Sequence, residues 1–149
     1  MNLSDLYQEV ILDHGKRPRN FGELPQATHD AEGLNPLCGD QLHLRLIVDE
    51  DRIFDIKFNG CGCAISTASA SMLTIAVKGK SLDDARTLFN KFHHAATTGD
   101  VTEAEMEELG ELASLIGVNQ YASRVKCATL AWHALHAAIE SPGESVTTE

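Results

Sequence analysis

The sequence predicts an α+β domain in which helices pack on one face of a small antiparallel sheet of about three strands. Three observations carry this expectation. Apolar residues first recur at helical spacing, then alternate with polar ones over two adjacent stretches, and finally return to helical spacing behind capping signals that run almost to the last residue.

The opening helix is read from Leu3, Leu6, Tyr7, Val10 and Ile11, with Asn2, Ser4 and Asp5 supplying the polar and acidic residues that a first turn favours. Gly15, Pro18 and Gly22 break that pattern, and the segment from His14 to Gly22 concentrates Lys16, Arg17 and Arg19, so it reads as an exposed basic loop. Such a loop is either simply solvated or a docking patch for an acidic surface. A short strand near Ala27 to Glu32 is weakly signalled. Leu42, Leu44, Leu46 and Val48 then alternate with His43, Arg45 and Ile47, and after Asp49-Glu50-Asp51 the alternation resumes as Phe54, Ile56 and Phe58 against Asp55 and Lys57. These two runs predict an antiparallel hairpin with one buried face.

From Cys63 the chain turns helical through the small residues Ala64 to Ser71, continues over Met72, Leu73, Ile75 and Val77, and stops at Gly79. Ser81 with Asp84 opens a helix through Leu88 and Phe92, and Thr102 with Glu105 forms a capping box for another through Leu112. The last helix is expected from about Ala122 to Ile139, ahead of Pro142. Residues 1–149 form a single domain in this reading, with 141–149 a polar, flexible tail.

Composition narrows the function. Lys and Arg number 12 against 22 Asp and Glu, a formal net charge of −10, which is the wrong sign for neutralising phosphates. Nucleic acid and anionic membranes are therefore not expected partners. No apolar run is long enough to span a bilayer, and MNLSDLYQEV has neither the basic nor the apolar region of a signal peptide, so a cytoplasmic protein is expected. In a reducing cytosol the four cysteines read as thiols or metal ligands rather than as a disulfide framework.

Three cysteine neighbourhoods favour metal or thiolate chemistry. Asn35-Pro-Leu-Cys38-Gly-Asp40 presents a cysteine and an acid on one loop, at a spacing that lets both reach a single ion. In Asn59-Gly-Cys61-Gly-Cys63 the glycines turn strand into helix and leave Cys63 at a helix N-terminus, where the dipole and free N–H groups lower a thiol pKa. Cys127 lies near the start of the last helix behind Arg124 and Lys126, cations that also favour the anion. Any one of these cysteines alone reads equally well as a small buried hydrophobe. Together they sit at three element ends, and with Asp40 they supply the four ligands of a tetrahedral site. His93, His94, His133 and His136 read as surface or hydrogen-bonded residues, since the last two lie too far along their helix to share an ion with Cys127. Trp132 and Leu135 read as core. Arg124 either steadies a thiolate or persulfide or is a surface cation.

Four blocks carry a family resemblance. They are Leu6 to His14 with Pro18 to Gly22, then Asn35-Pro-Leu-Cys-Gly-Asp40, then Gly62 to Ser71, then Arg124-Val-Lys-Cys-Ala-Thr-Leu-Ala-Trp132. On these the chain resembles the SufU and IscU proteins of iron–sulfur cluster biogenesis over nearly its whole length. Lys126 stands where the IscU type carries a histidine, and the segment between Cys63 and Cys127 looks longer, as in SufU. The resemblance implies the SufU/IscU-like fold and a metal set of Cys38, Asp40, Cys63 and Cys127. It also implies zinc as the cofactor and Cys38 as the acceptor of persulfide sulfur from a pyridoxal-phosphate cysteine desulfurase of the SufS kind. The alternative it implies is a scaffold that builds a labile iron–sulfur cluster, or binds iron, and passes it to apo-proteins or downstream assembly proteins. The IscU-like Gly-Cys-Gly pattern would select Cys61 in place of Cys63. Asp40, a hard ligand among soft ones, is expected to be the labile member of the set, and Arg124 a residue that assists Cys38.

Overall fold

The computed structural model describes residues 3–148, so Asn2 of the expected first turn and Glu149 of the expected tail lie outside the described residues. Helix α1 spans Leu3–Lys16 and is followed by strands β1 (His29–Asn35), β2 (Asp40–Asp49) and β3 (Arg52–Cys61). Helices α2 (Ala64–Val77), α3 (Leu82–Thr98) and α4 (Glu103–Leu109), a 3₁₀ helix over Gly110–Gln120, α5 (Ala122–Glu140) and a last strand β4 (Ser145–Thr147) complete the chain. The sheet runs in the order β3-β2-β1-β4, antiparallel except for the parallel pair β1 and β4. It thus has a fourth strand, made within the segment expected to be a flexible tail, because Ser145, Val146 and Thr147 pair with Glu32, Gly33 and Leu34.

Helix α5 lies on β1 and β2, and α2 sits beside it over β3. Leu44, Leu46, Ile53, Ile56, Leu130 and Trp132 fill the layer between sheet and helices. Trp132 stacks on Phe92 with ring centroids 4.8 Å apart, fixing α3 to α5. The other face of the sheet is polar: His43 Nε2 lies 2.6 Å from Asp30 Oδ2, and Arg45 donates to His43 Nδ1 and Asn59 Oδ1.

Helix α2 is buried almost all round, which its run of alanine and serine makes possible. Small side chains let α5 approach closely enough for the Ser69 hydroxyl to donate to the Ala128 carbonyl. The Thr102–Glu105 capping box and the Ser81 cap form as expected.

Four details differ from the sequence reading. Helix α1 continues through Gly15, whose missing side chain lets it lie against Ala64. His14 is consequently buried rather than in an exposed loop, with Nδ1 2.7 Å from the Ser71 hydroxyl, while Arg17 and Arg19 pair with Asp13. The β1 strand begins later than Ala27, at His29. A bulge between Ile47 and Val48 shifts the β2–β3 register, so Ile53 points into the core and Phe54 is 70% exposed, although simple alternation puts Phe54 inside. Helix α4 ends at Leu109 because Gly110 adopts a positive φ, and the chain through Leu112 is 3₁₀ instead.

Candidate metal centre

One end of the β1–β2 hairpin, the strand-to-helix turn before α2 and the second turn of α5 meet at one place. Cys38 stands on the tight loop that joins β1 to β2, closed by the Gly39 N–H on the Asn35 carbonyl at 2.9 Å, with Gly39 at φ 75°. That positive φ is what glycine permits at the turn. Asp40 is the first residue of β2 and points to the helix side, 1% exposed. Cys127 is buried on α5.

The sulfurs of Cys38 and Cys127 lie 3.6 Å apart. Each of these cysteines and Asp40 offers a ligand atom, and the three atoms lie within 4.8 Å of one another. The structure thus brings together three of the four residues expected to hold a metal. Cys63, the fourth, is the N-cap of α2: its sulfur accepts the Ser66 N–H at 3.4 Å, and its own N–H donates to Asp40 Oδ1 at 2.8 Å. It therefore borders the three-residue cluster, at the helix N-terminus expected for it. Cys61 ends β3 opposite the outward-facing Gln41, so it belongs to the open face of the sheet.

Burial dominates the electrostatics here. It pushes the Cys127 thiol far above the ordinary cysteine range, and the neighbouring Cys63, Asp40 and Cys38 push in the same direction. The expectation that Arg124 and Lys126 would favour a Cys127 anion therefore gives way to desolvation. Arg124 is exposed, with its guanidinium 4.6 Å from the centroid of the Tyr121 ring, and is not in the cluster. A thiol placed like Cys127 ionises readily only beside a cation, as when it becomes a metal ligand.

Asp40 is better anchored than its expected lability implies. Oδ1 takes the Cys63 N–H, and Oδ2 takes the Asn35 side-chain amide at 3.1 Å. A Cβ on Gly62 would stand 2.6 Å from Oδ1, so only glycine leaves the carboxylate its place. Asn35 and Gly62 thus shape the cluster, although the sequence assigned Asn35 no role and gave Gly62 only the strand-to-helix turn. The available signal was pairing: a tight loop between positions 35 and 40 sets Asn35 directly across from Asp40.

The donor set fits a soft or borderline cation, with two sulfurs and a carboxylate converging and a third sulfur beside them. The site is therefore a cysteine-rich cluster, able to hold a metal ion, on a helix-backed sheet. The chain belongs to the NifU-like N-terminal domain family, whose model matches residues 6–128.

Among its relatives is the iron–sulfur cluster assembly scaffold protein IscU of Streptococcus pyogenes serotype M1, 46% identical over 93% of this chain and 85% of that one. The zinc-dependent sulfurtransferase SufU of Bacillus subtilis is 42% identical over 90% of this chain and 89% of its own. A solved structure described as an iron–sulfur cluster assembly scaffold for the SUF system, from Fervidobacterium islandicum, superposes with a TM-score of 0.83 at 32% identity. That match covers 93% of this chain and 100% of the other.

Proposed function

We propose that this chain acts in iron–sulfur cluster assembly as a zinc-dependent acceptor of persulfide sulfur from a cysteine desulfurase, working in the cytoplasm. One observation carries the reading: an exposed cysteine, Cys38, has its sulfur 3.6 Å from the buried sulfur of Cys127, inside a cluster that also holds Asp40. A purely structural site gains nothing from a ligand at the surface. A site that must release one sulfur to a partner needs it there.

The proposed ligands are Cys38, Asp40, Cys63 and Cys127. Zinc, when bound, would hold the sulfurs as thiolates. Cys38 swings out on its glycine-hinged loop, and its thiolate attacks the outer sulfur of the donor's persulfide. The sulfur–sulfur bond of the donor breaks, the donor cysteine leaves as a thiolate, and Cys38 carries the sulfane sulfur. Arg124, three residues before Cys127 on the exposed first turn of α5, is the cation assigned in this reading to pair with the anionic Cys38 once it turns outward. The sulfurtransferase name of the Bacillus subtilis relative supports this reading. Lys126, standing where the IscU type carries histidine, supports it too.

The Streptococcus pyogenes relative's name favours a second reading, in which the same cysteines bind a labile cluster as cargo for apo-proteins. Analysis of metal and acid-labile sulfide separates the two. Zinc without sulfide is expected, and iron with sulfide would decide for the scaffold.

The direct test uses Cys38→Ser and Asp40→Ala with a partner desulfurase. Cys38→Ser abolishes stimulation of the desulfurase even where zinc stays bound, because a hydroxyl cannot accept sulfane sulfur. Asp40→Ala loses activity only in part, since three thiolates and a water can still complete the coordination. Alkylation after turnover and peptide mass spectrometry then locate the added sulfur. Sulfur on Cys61 or Cys127 with Cys38 unmodified and dispensable would overturn the mechanism.

A further inference from the structure

We infer that Asn35 is the positioning residue of this centre: its side-chain amide ties Asp40 to Cys127 and keeps that half of the ligand set assembled while Cys38 is away. The inference rests on the sulfur-transfer reading above and names the device that lets one ligand leave without losing the metal.

Asn35 ends β1 and is fully buried, and Asp40 is its partner across the strand pair. Its Nδ2 lies 3.1 Å from Asp40 Oδ2 and 3.5 Å from Cys127 Sγ. An ionised carboxylate has only lone pairs to offer, so the NH2 end of the amide must face it. The two N–H groups of that end then serve one ligand each. This orientation leaves Asn35 Oδ1 buried with no hydrogen-bond partner among the described residues. Buried polar atoms are normally paired, and an exception calls for a reason. Here the reason is that both donors of the amide are committed to the two ligands.

The remaining contacts divide the site in the same way. Asp40 is also held by the Cys63 N–H through its other oxygen. Cys127 is fixed by the body of α5 and by the Asn35 amide. Cys38 is exposed, on a loop that turns at Gly39, and its sulfur has only the Cys127 sulfur beside it among the hydrogen bonds of the described residues. The fold therefore separates a clamped pair from a free ligand, and Asn35 is the clamp.

The test compares the zinc-loaded full chain with Asn35→Asp, which keeps the shape but replaces both donors with acceptors, and with Asn35→Ser, which is small and neutral. Zinc release to a chromogenic chelator is expected to quicken by about 10–100-fold in both, the usual scale for losing an outer-shell partner. Cobalt-loaded variants are expected to lose tetrahedral ligand-field intensity and part of the thiolate charge-transfer band. The alkylation rate of Cys38 in the metal-free chain should stay as in the parent. A merely structural role at the end of β1 would lower the metal-free melting temperature but leave zinc release and the cobalt spectrum unchanged.

Should Asn35→Asp fold poorly, Asn35→Ser carries the same expectation, read as a smaller zinc-induced rise over its own metal-free melting temperature. Parent-like zinc release and a parent-like cobalt spectrum in a folded variant would overturn the inference while leaving the proposed function standing. A parent chain that retains neither metal would instead sink the zinc reading, and this inference with it.

Discussion

Gly62→Ala tests the packing of the centre without substituting any proposed ligand. A methyl group at Gly62 would lie 2.6 Å from Asp40 Oδ1, 3.1 Å from its Cγ and 3.2 Å from its Cβ. Gly62 is not among the glycines with positive φ, so alanine meets no backbone obstacle there. The cost falls on Asp40, which is 1% exposed and whose Oδ1 accepts the Cys63 N–H at 2.8 Å. The carboxylate cannot clear the methyl without giving up that bond. Hydrogen bonds to charged groups contribute about 1.5–3 kcal/mol, so the metal-free variant is expected to lose that much stability. For a chain of this size the loss lowers Tm by about 3–12 °C. In an Asp40→Ala background the obstacle is gone, and Gly62→Ala becomes neutral or stabilising by up to about 1 kcal/mol through the unfolded state. Urea unfolding of the four proteins in excess chelator closes the double-mutant cycle. An equal cost of Gly62→Ala with and without Asp40 would refute the steric account.

Two further outcomes are expected. Cys63→Ser loses zinc while Cys61→Ser retains it, because Cys63 borders Asp40 and Cys127 whereas Cys61 pairs with Gln41 on the open face; zinc content per chain by mass spectrometry reads the difference, and the reverse result would select Cys61. His133 is held below the usual histidine range by burial and by its neighbours His93 and His136, so the unfolded chain takes up this proton more readily than the folded one. Stability present above about pH 6.5 is therefore lost as pH falls, and His133→Gln should flatten that acid slope in denaturant titrations; an unchanged slope would count against the assignment.

The parts legible in the sequence are those that local chemistry dictates. Ser81 and Thr102 cap helices because a hydroxyl there meets free N–H groups, whatever the rest of the chain does. Cys38 and Asp40 lie two residues apart at the β1–β2 turn and Cys127 lies near the start of α5, so their convergence needed only the hairpin and α5 to pack together. What escaped depends on partners distant in sequence. The exposure of Phe54 follows from a one-residue register shift against β2, which alternation within β3 cannot reveal. His14 looked like a loop residue until Ser71, 57 positions away, gave its ring a buried partner. The anchoring of Asp40 likewise needs Asn35 and Cys63, neighbours only after the sheet and α2 have met.

The short strand β4 has a consequence for self-association. A sheet edge offers unpaired N–H and C=O groups on which another molecule can add a strand. Here Ser145–Thr147 lies along β1, reinforced by the Glu32 N–H on the Glu144 carbonyl and the Thr148 N–H on the Leu34 carbonyl. At the opposite edge, the Gly22 N–H and the Asn20 carbonyl cap Phe58, while the Gly79 N–H and the Lys80 carbonyl cap Ile53. Among the described residues, positions 54–57 and 59–61 of β3 carry no such edge bond, and the first of these stretches lies next to a bulge that twists it out of line. The fold thus shortens the open stretches at both of its edges, which limits how a protein with surface thiols can polymerise through its sheet.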